Sequence, residues 1–432
     1  MIKILKTSSI DFKKKFNNFL NLRRNYPASK LNRVKKIIED VRRKGDKSLI
    51  KYEKKFNKIK NLNSRALFFS EGEIKKHIQK LDPKIKSSIN IAFERIFKFH
   101  RHQSFKNFKL SDQYRNSFAY RSKPMEKIGI YVPGAKASYP SSVLMNCIPA
   151  IIAGVKDIFM TVPSLNNEVN PGVLYAAKKC GVKKIYKLSG AQAIASFAFG
   201  TKSVIKVDKI VGPGNEYVAL AKKEVFGQVG IDMIAGPSEV TIIGDKYSNP
   251  SWVSADLIAQ AEHDEMSQSI LVTDSPKLIS EVKEYLNVQL RFLPKRKIAS
   301  ESLKNFGIAI LAKNSKEISK IINQISPEHL EVFTKKPETY LKSISNAGSI
   351  FLGAYSPEAV GDYLAGPNHV LPTSGTARFS SGLSVNDFLK KQSIIKMSKT
   401  GIERLGPSVI TLSKYEDLYG HSNSVRLRIK KG

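Results

Sequence analysis

The segment AQAEHDE, residues 259–265, places Gln260 and His263 three residues apart at the end of an apolar run that reads as a helix. At that spacing two side chains share a helix face. Neutral imidazole is the commonest metal ligand in proteins, and a glutamine oxygen can complete such a site. A helix-end histidine bonded to backbone gives the same pattern, so both readings stand at this point. A second segment is SPEHLE, residues 326–331. Serine before proline is a helix-start signature, which predicts Ser326 as the N-cap and Glu328 and His329 in the first turn. The positive end of that helix would disfavour an imidazolium and leave His329 a neutral base. Such a base takes a proton from an alcohol, and an ionised glutamate activates water. Plain capping explains Ser326, Pro327 and Glu328 but is silent about His329. A further Ser-Pro-Glu opens SPEAVGDYLAGPNH, residues 356–369; Asp362 lies along the expected helix, which stops at Gly366-Pro367 with His369 close by. Near the end, EDLYGHSNS sets Glu416 and His421 five apart around a turn expected at Gly420. A tail that reaches a neighbouring subunit and a frayed tail both fit.

Two segments suit an anion. GPGNE (212–216) and AGPSE (235–239) bring backbone N–H groups together. Neither is a Rossmann G-x-G-x-x-G or a P-loop. The chain also lacks G-x-S-x-G and H-E-x-x-H, which argues against a serine hydrolase and a zincin protease. Cys147 offers a rival chemistry, a thiol adding to an aldehyde. Its context, VLMNCIPA, predicts inert packing instead. His77, His100 and His102 fall in a basic helical stretch and read as surface histidines without a site.

These segments need a scaffold. Residues 1–123 read as mainly helical, with charges interleaved among apolar residues at helical spacing. From residue 124 strand and helix alternate, with strands expected at Lys127–Val132, Asp157–Val162, Lys184–Leu188 and Lys206–Val211. A second such block follows Gly236, with strands at Val240–Ile243 and Gln268–Thr273 flanking a helix at Trp252–Glu262. Alternation of this kind predicts an α/β fold, with parallel sheets in residues 124–236 and 237–381. The stretch GPNHVLPTSGTARFSSG reads as a long functional loop, and residues 382–432 as a small C-terminal extension.

The 72 Lys and Arg against 37 Asp and Glu give a net charge of +35. No nucleic-acid motif accompanies it and the basic residues are dispersed, so no nucleic-acid partner is expected. A basic surface would speed the arrival of anionic cofactors. Two cysteines are too few for a disulfide framework. No signal core or membrane-length apolar run is present, so a cytoplasmic protein is expected, away from the membrane.

Taken together, the stretches YVPGAKASYPSSVLMN, LSGAQAIASFAFGT, KIVGPGNEYV, IDMIAGPSEV, LIAQAEHD, SPEHLE and NAGSIFLGAYSPEAVGDYLAGPNHVLPTSGTARFSSGLSV resemble the histidinol dehydrogenase family. The resemblance implies two incomplete Rossmann-like α/β domains. It also implies oxidation of L-histidinol to L-histidine through the aldehyde, with two NAD+ reduced, as the last step of histidine biosynthesis. One zinc ion (Zn2+) per subunit would be held by the residues matching the family's ligands, Gln260, His263, Asp362 and His421. Glu328 and His329 match the catalytic pair. Ser238, His329, Asp362 and Glu416 match substrate contacts together with the zinc ligands. Tyr131, Gln192 and Asn215 match NAD contacts. Members form homodimers in which the tail carrying Glu416 and His421 completes the partner's site. Three positions depart from the family pattern, Ala135, Ser189 and Ile234, all expected near the cofactor groove. A relative oxidising another amino alcohol is the alternative; the presence of Glu416 favours histidinol.

Overall fold

The computed structural model describes residues 2–24, 28–57, 63–103, 105–134, 139–165 and 168–429, so Ala135 lies outside the described residues. Runs rich in valine and isoleucine form strands buried on every residue, such as EVTIIG, QSILVT and HLEVF. Strands of that kind need helices on both faces, which is what a parallel sheet supplies. In chain order the strands are β1 (Lys3–Lys6), β2 (Phe108–Ser111), β3 (Ser117–Pro124), β4 (Lys127–Tyr131), β5 (Asp157–Thr161), β6 (Lys184–Tyr186), β7 (Lys209–Val211), β8 (Gly230–Ile231), β9 (Glu239–Gly244), β10 (Gln268–Thr273), β11 (Gly307–Leu311), β12 (His329–Phe333), β13 (Ser349–Leu352) and β14 (Leu389–Lys396).

They assemble into three sheets. The first is parallel, in the order β6-β5-β4-β7-β8. The second is parallel, in the order β1-β11-β10-β9-β12-β13. The third is antiparallel, β14-β3-β2. The fold is therefore α/β with parallel sheets and a helical N-terminal region, as the alternation predicts. In each parallel sheet the winding reverses once, between β4 and β7 in the first and between β9 and β12 in the second. Such a reversal leaves a crevice between the connections that depart to opposite faces.

The helix Pro250–Ala261 shows how the local sequence sets this geometry. The Asn249 side chain accepts from the N–H groups of Ser251 and Trp252, and Pro250 occupies the first turn. Val253, Leu257, Ile258 and Ala261 then pack into a core with Val240 and Leu271. Each large side chain so buried contributes about 1.5–3 kcal/mol. The helix thus has a fixed axis, and its last turn carries Gln260 to the amino edge of the sheet. In the first sheet, close approach requires glycine at one junction. Gly212 follows β7 at φ +110°, and a Cβ there would lie 2.1 Å from the Tyr131 carbonyl oxygen.

Two expectations change. His100 is not a surface residue: it is fully buried, its Nδ1 2.7 Å from Gln103 Oε1 and its Nε2 3.4 Å from the Asn368 amide. The SPEHLE segment does not start a helix. Ser326 ends the helix Ser315–Ile325 in the left-handed region, φ +49°, and His329 opens β12.

Candidate active site

His329 is the first residue of β12, beside Val240 of β9, at the amino edge of the second sheet. It is buried, and its Nδ1 lies 3.1 Å from the Glu239 carbonyl oxygen. A carbonyl only accepts, so Nδ1 carries the proton and Nε2 is left with its lone pair. Nε2 is buried and has no hydrogen-bond partner among the described residues. Burial pushes the imidazole pKa down to about 4, so the ring is neutral near pH 7. His329 is neutral, as expected, but the helix end invoked for that is absent; desolvation keeps it neutral.

Carboxyl groups surround this ring. Glu358 Oε1 lies 3.4 Å and Glu328 Oε2 3.7 Å from Nδ1. The Glu239 N–H donates to Glu328 at 2.8 Å, so one residue of β9 holds both Glu328 and His329 through its backbone. Burial, reinforced by neighbouring carboxylates, raises the pKa of Glu328 and Glu358 well above the ordinary value. His329, Glu358 and Asp362 each present a ligand atom within 4.8 Å of one another. Buried carboxyls so close repel, and must share protons or a cation. Gln260 and His263 border the same spot. Gln260 is fully buried, and its amide nitrogen, turned to pair, donates to Glu358 at 2.9 and 3.3 Å. His263 Nε2 lies 4.0 Å from Asp362 Oδ2. His369 Nδ1 is 3.0 Å from the Asp362 carbonyl oxygen and 3.6 Å from its carboxylate. A cleft of about 330 Å³ opens onto His329, His369 and Gly361. Ser238, partly exposed, precedes β9, and its carbonyl accepts from the Gln268 N–H.

The second group of expected residues lies at the carboxyl edge of the first sheet, beside its reversal. Tyr131 ends β4; its buried hydroxyl accepts from the Gly190 N–H at 3.2 Å, and burial pushes its pKa up to about 12. Asn215 follows β7 and caps the helix Glu216–Val225, accepting from the Val218 N–H. Gln192 is buried in the first turn of the helix Gly190–Phe199. Tyr131, at the end of β4, thus meets the segments that follow β6 and β7 beside two helix starts, whose backbone N–H groups suit an anionic cofactor.

A histidinol dehydrogenase family model matches residues 22–429. The histidinol dehydrogenase of Pelagibacter ubique is 51% identical, with all of both chains covered. That of Clostridium acetobutylicum is 46% identical over 100% of this chain and 99% of its own. The crystal structure of the enzyme from Elizabethkingia anophelis superposes with a TM-score of 0.92 at 37% identity, covering 99% of this chain and 98% of that one. The chain belongs to the histidinol dehydrogenase family. It is accordingly an oxidoreductase, and no helix among the described residues is long and apolar enough to cross a membrane.

Against that family background, two of the expected site residues stand apart from the rest. Glu416 closes the helix Lys399–Tyr415 and His421 lies in the helix Tyr419–Ile429. Both are exposed. The turn between them falls at Asp417, φ +57°, and not at the expected Gly420. Cys147 is fully buried in an apolar cluster, and burial raises its thiol pKa well above the ordinary value, which makes it a poor nucleophile.

The sequence reading missed Glu358, Glu239, Arg23 and Glu53. Arg23 meets Glu239 at 2.9 Å with both side chains buried, and donates to the Ile325 carbonyl oxygen at 3.1 Å. Glu53 takes donors from Ser189 and Gln192. Glu358 carried one signal, the repeated Ser-Pro-Glu, which read as capping. Arg23 and Glu53 carried none, being single charges in a charged helical region.

Proposed function

We propose that this chain oxidises L-histidinol to L-histidine through the aldehyde, using two NAD+ in turn, as the last step of histidine biosynthesis. The observation that carries the reading is His329, buried and neutral, with Nδ1 tied to a backbone carbonyl and Nε2 unpartnered among the described residues. A base of this form can take one proton as hydride leaves the carbinol carbon. Glu328, held by the Glu239 N–H, would draw the proton from the water that attacks the aldehyde. Its raised pKa makes it a stronger base once ionised. Zinc is the metal proposed, and the donor set fits it: Gln260, His263 and Asp362 border one carboxylate-rich spot, where a cation relieves the repulsion. His421 of the partner subunit would complete the set. When bound, the ion supplies positive charge that anchors the amine and imidazole of the substrate. Ser238 and Glu416 would line the substrate pocket, Glu416 from the partner. Tyr131, Gln192 and Asn215 would face NAD, which accepts the hydride.

Residues 124–236 would then form the cofactor domain and 237–381 the domain holding metal and base, with 1–123 buttressing both and 382–432 exchanged in a homodimer. The protein is read as cytoplasmic.

Supply of L-histidinol and NAD+ to the purified protein should yield NADH and histidine, and a chelator should stop both. No NADH from zinc-replete protein would refute the reading. His329→Ala should lower turnover by about 10²–10⁴-fold while zinc content stays at the parent level.

A further inference from the structure

Glu53 lies on the N-terminal helix Asp46–Asn57, far in sequence from either site, and its side chain is fully buried. Its partners among the described residues are all neutral donors. One oxygen, Oε1, accepts from the Ser189 N–H at 2.9 Å, the Gln192 amide at 2.8 Å and the Ser189 hydroxyl at 3.4 Å. The other accepts from Asn57, whose amide also donates to the Ser189 hydroxyl at 2.8 Å. Ser189 sits at the N-cap of the helix Gly190–Phe199 but makes no side-chain cap of its own. A carboxylate from a different part of the chain therefore caps this helix, where the helix dipole favours negative charge.

The consequence falls on Gln192. Its Nε2 is committed to Glu53 and, at 3.4 Å, to Ser189 Oγ. Its Oε1 lies on the opposite side of the amide, against Gly190, where a Cβ would sit 3.4 Å away. No donor among the described residues meets that oxygen. We propose that Glu53 is a positioning residue of the cofactor site: it locks the Gln192 amide so that Oε1 faces the cofactor as an acceptor. The group that Gln192 recognises must then be a donor, a ribose hydroxyl or a carboxamide N–H of the dinucleotide. The proposal rests on Gln192 being a cofactor contact. It also gives a use to Ser189, one of the positions where this chain departs from the family pattern.

Glu53→Gln keeps size and removes the charge. One amide cannot accept every donor that the carboxylate does, so Gln192 loses its best acceptor and is free to turn. NADH titrated into the zinc-loaded enzyme by fluorescence should bind about tenfold more weakly, the effect of losing one charge-assisted hydrogen bond. Zinc content and the KM for histidinol at saturating NAD+ should not move. An NADH Kd within about twofold of the parent, or a parallel loss of zinc, overturns the proposal. Glu53→Asp, which keeps the charge but retracts it, serves if the first variant does not fold. It should weaken NADH binding by a smaller factor, and an unchanged Kd overturns the idea equally. Gln192→Ala separates the two levels. If it leaves the NADH Kd unchanged, the cofactor reading of Gln192 fails; if it weakens binding and Glu53→Gln does not, only the role of Glu53 fails.

Discussion

The backbone of one residue, Glu239, aligns the proposed catalytic pair: its N–H holds Glu328 and its carbonyl fixes the His329 tautomer. Its side chain is held in turn by Arg23 and by the Ser374 N–H. Arg23→Met removes one half of a buried ion pair, which should cost about 3–5 kcal/mol in urea denaturation. Adding Glu239→Gln should restore much of that loss. A double variant no more stable than the single would show that the pair is not what matters there. His100 gives a pH prediction. Burial lowers its pKa below the ordinary 6.5, so the folded chain resists a proton that the unfolded chain accepts. Stability from this group is complete above about pH 6.5 and declines as the pH falls below that value. His100→Gln should narrow the difference in urea midpoint between pH 7.5 and 5.5; an unchanged difference would count against burial as the cause.

At the scale of elements, the turn before β12 decides where His329 stands. Ser326 adopts φ +49° with its hydroxyl donating to the Asn323 carbonyl oxygen, and it is fully buried. A β-branched residue tolerates that conformation poorly. Ser326→Val should lose about 1–3 kcal/mol from backbone strain, whereas Ser326→Gly should be milder. Thermal denaturation of the two variants checks this, and equal losses would place the cost in packing. The Ser-Pro-Glu string at 326–328 predicts a helix start because local signals report propensity alone. The actual course was decided by pairing of His329–Phe333 with β13, the next strand, and with β9, which lies three strands back in the chain. Strands β4, β5, β6, β7, β9 and β10 were legible, by contrast, because strands covered on both faces are short apolar runs bounded by turn residues, whereas β1, with three of its four residues exposed, carried no such signal.

For the whole molecule, the C-terminal arm is the telling part. Its two helices pack on each other and leave Leu412, Tyr415, Tyr419 and Leu427 exposed, together with Glu416 and His421. Exposed apolar residues beside two candidate site residues that have no side-chain partner among the described residues fit the proposed arm that docks on a second copy. Complementation tests the proposed sharing of the site. His421→Ala and Asp362→Ala homodimers should both be inactive, since neither retains a complete ligand set. Their mixture, dissociated and reassociated, should recover about a quarter of parental activity, because half the dimers are mixed and each of those has one intact site. No recovery would mean that each subunit supplies its own ligands.

The class of fold and the candidate chemistry could both be read from local patterns in the chain. Apolar runs marked most of the parallel strands, and the Gln260–His263 spacing, the Glu328–His329 pair and Asp362 marked the candidate donors and bases. How those residues are poised depends on packing between distant elements. His329 is neutral because its surroundings exclude water, and its tautomer is set by a carbonyl 90 residues away. Arg23 and Glu53 reach Glu239 and Ser189 across 216 and 136 residues. No local periodicity encodes such pairs, because they arise where packed elements happen to bring a buried charge and its donors together.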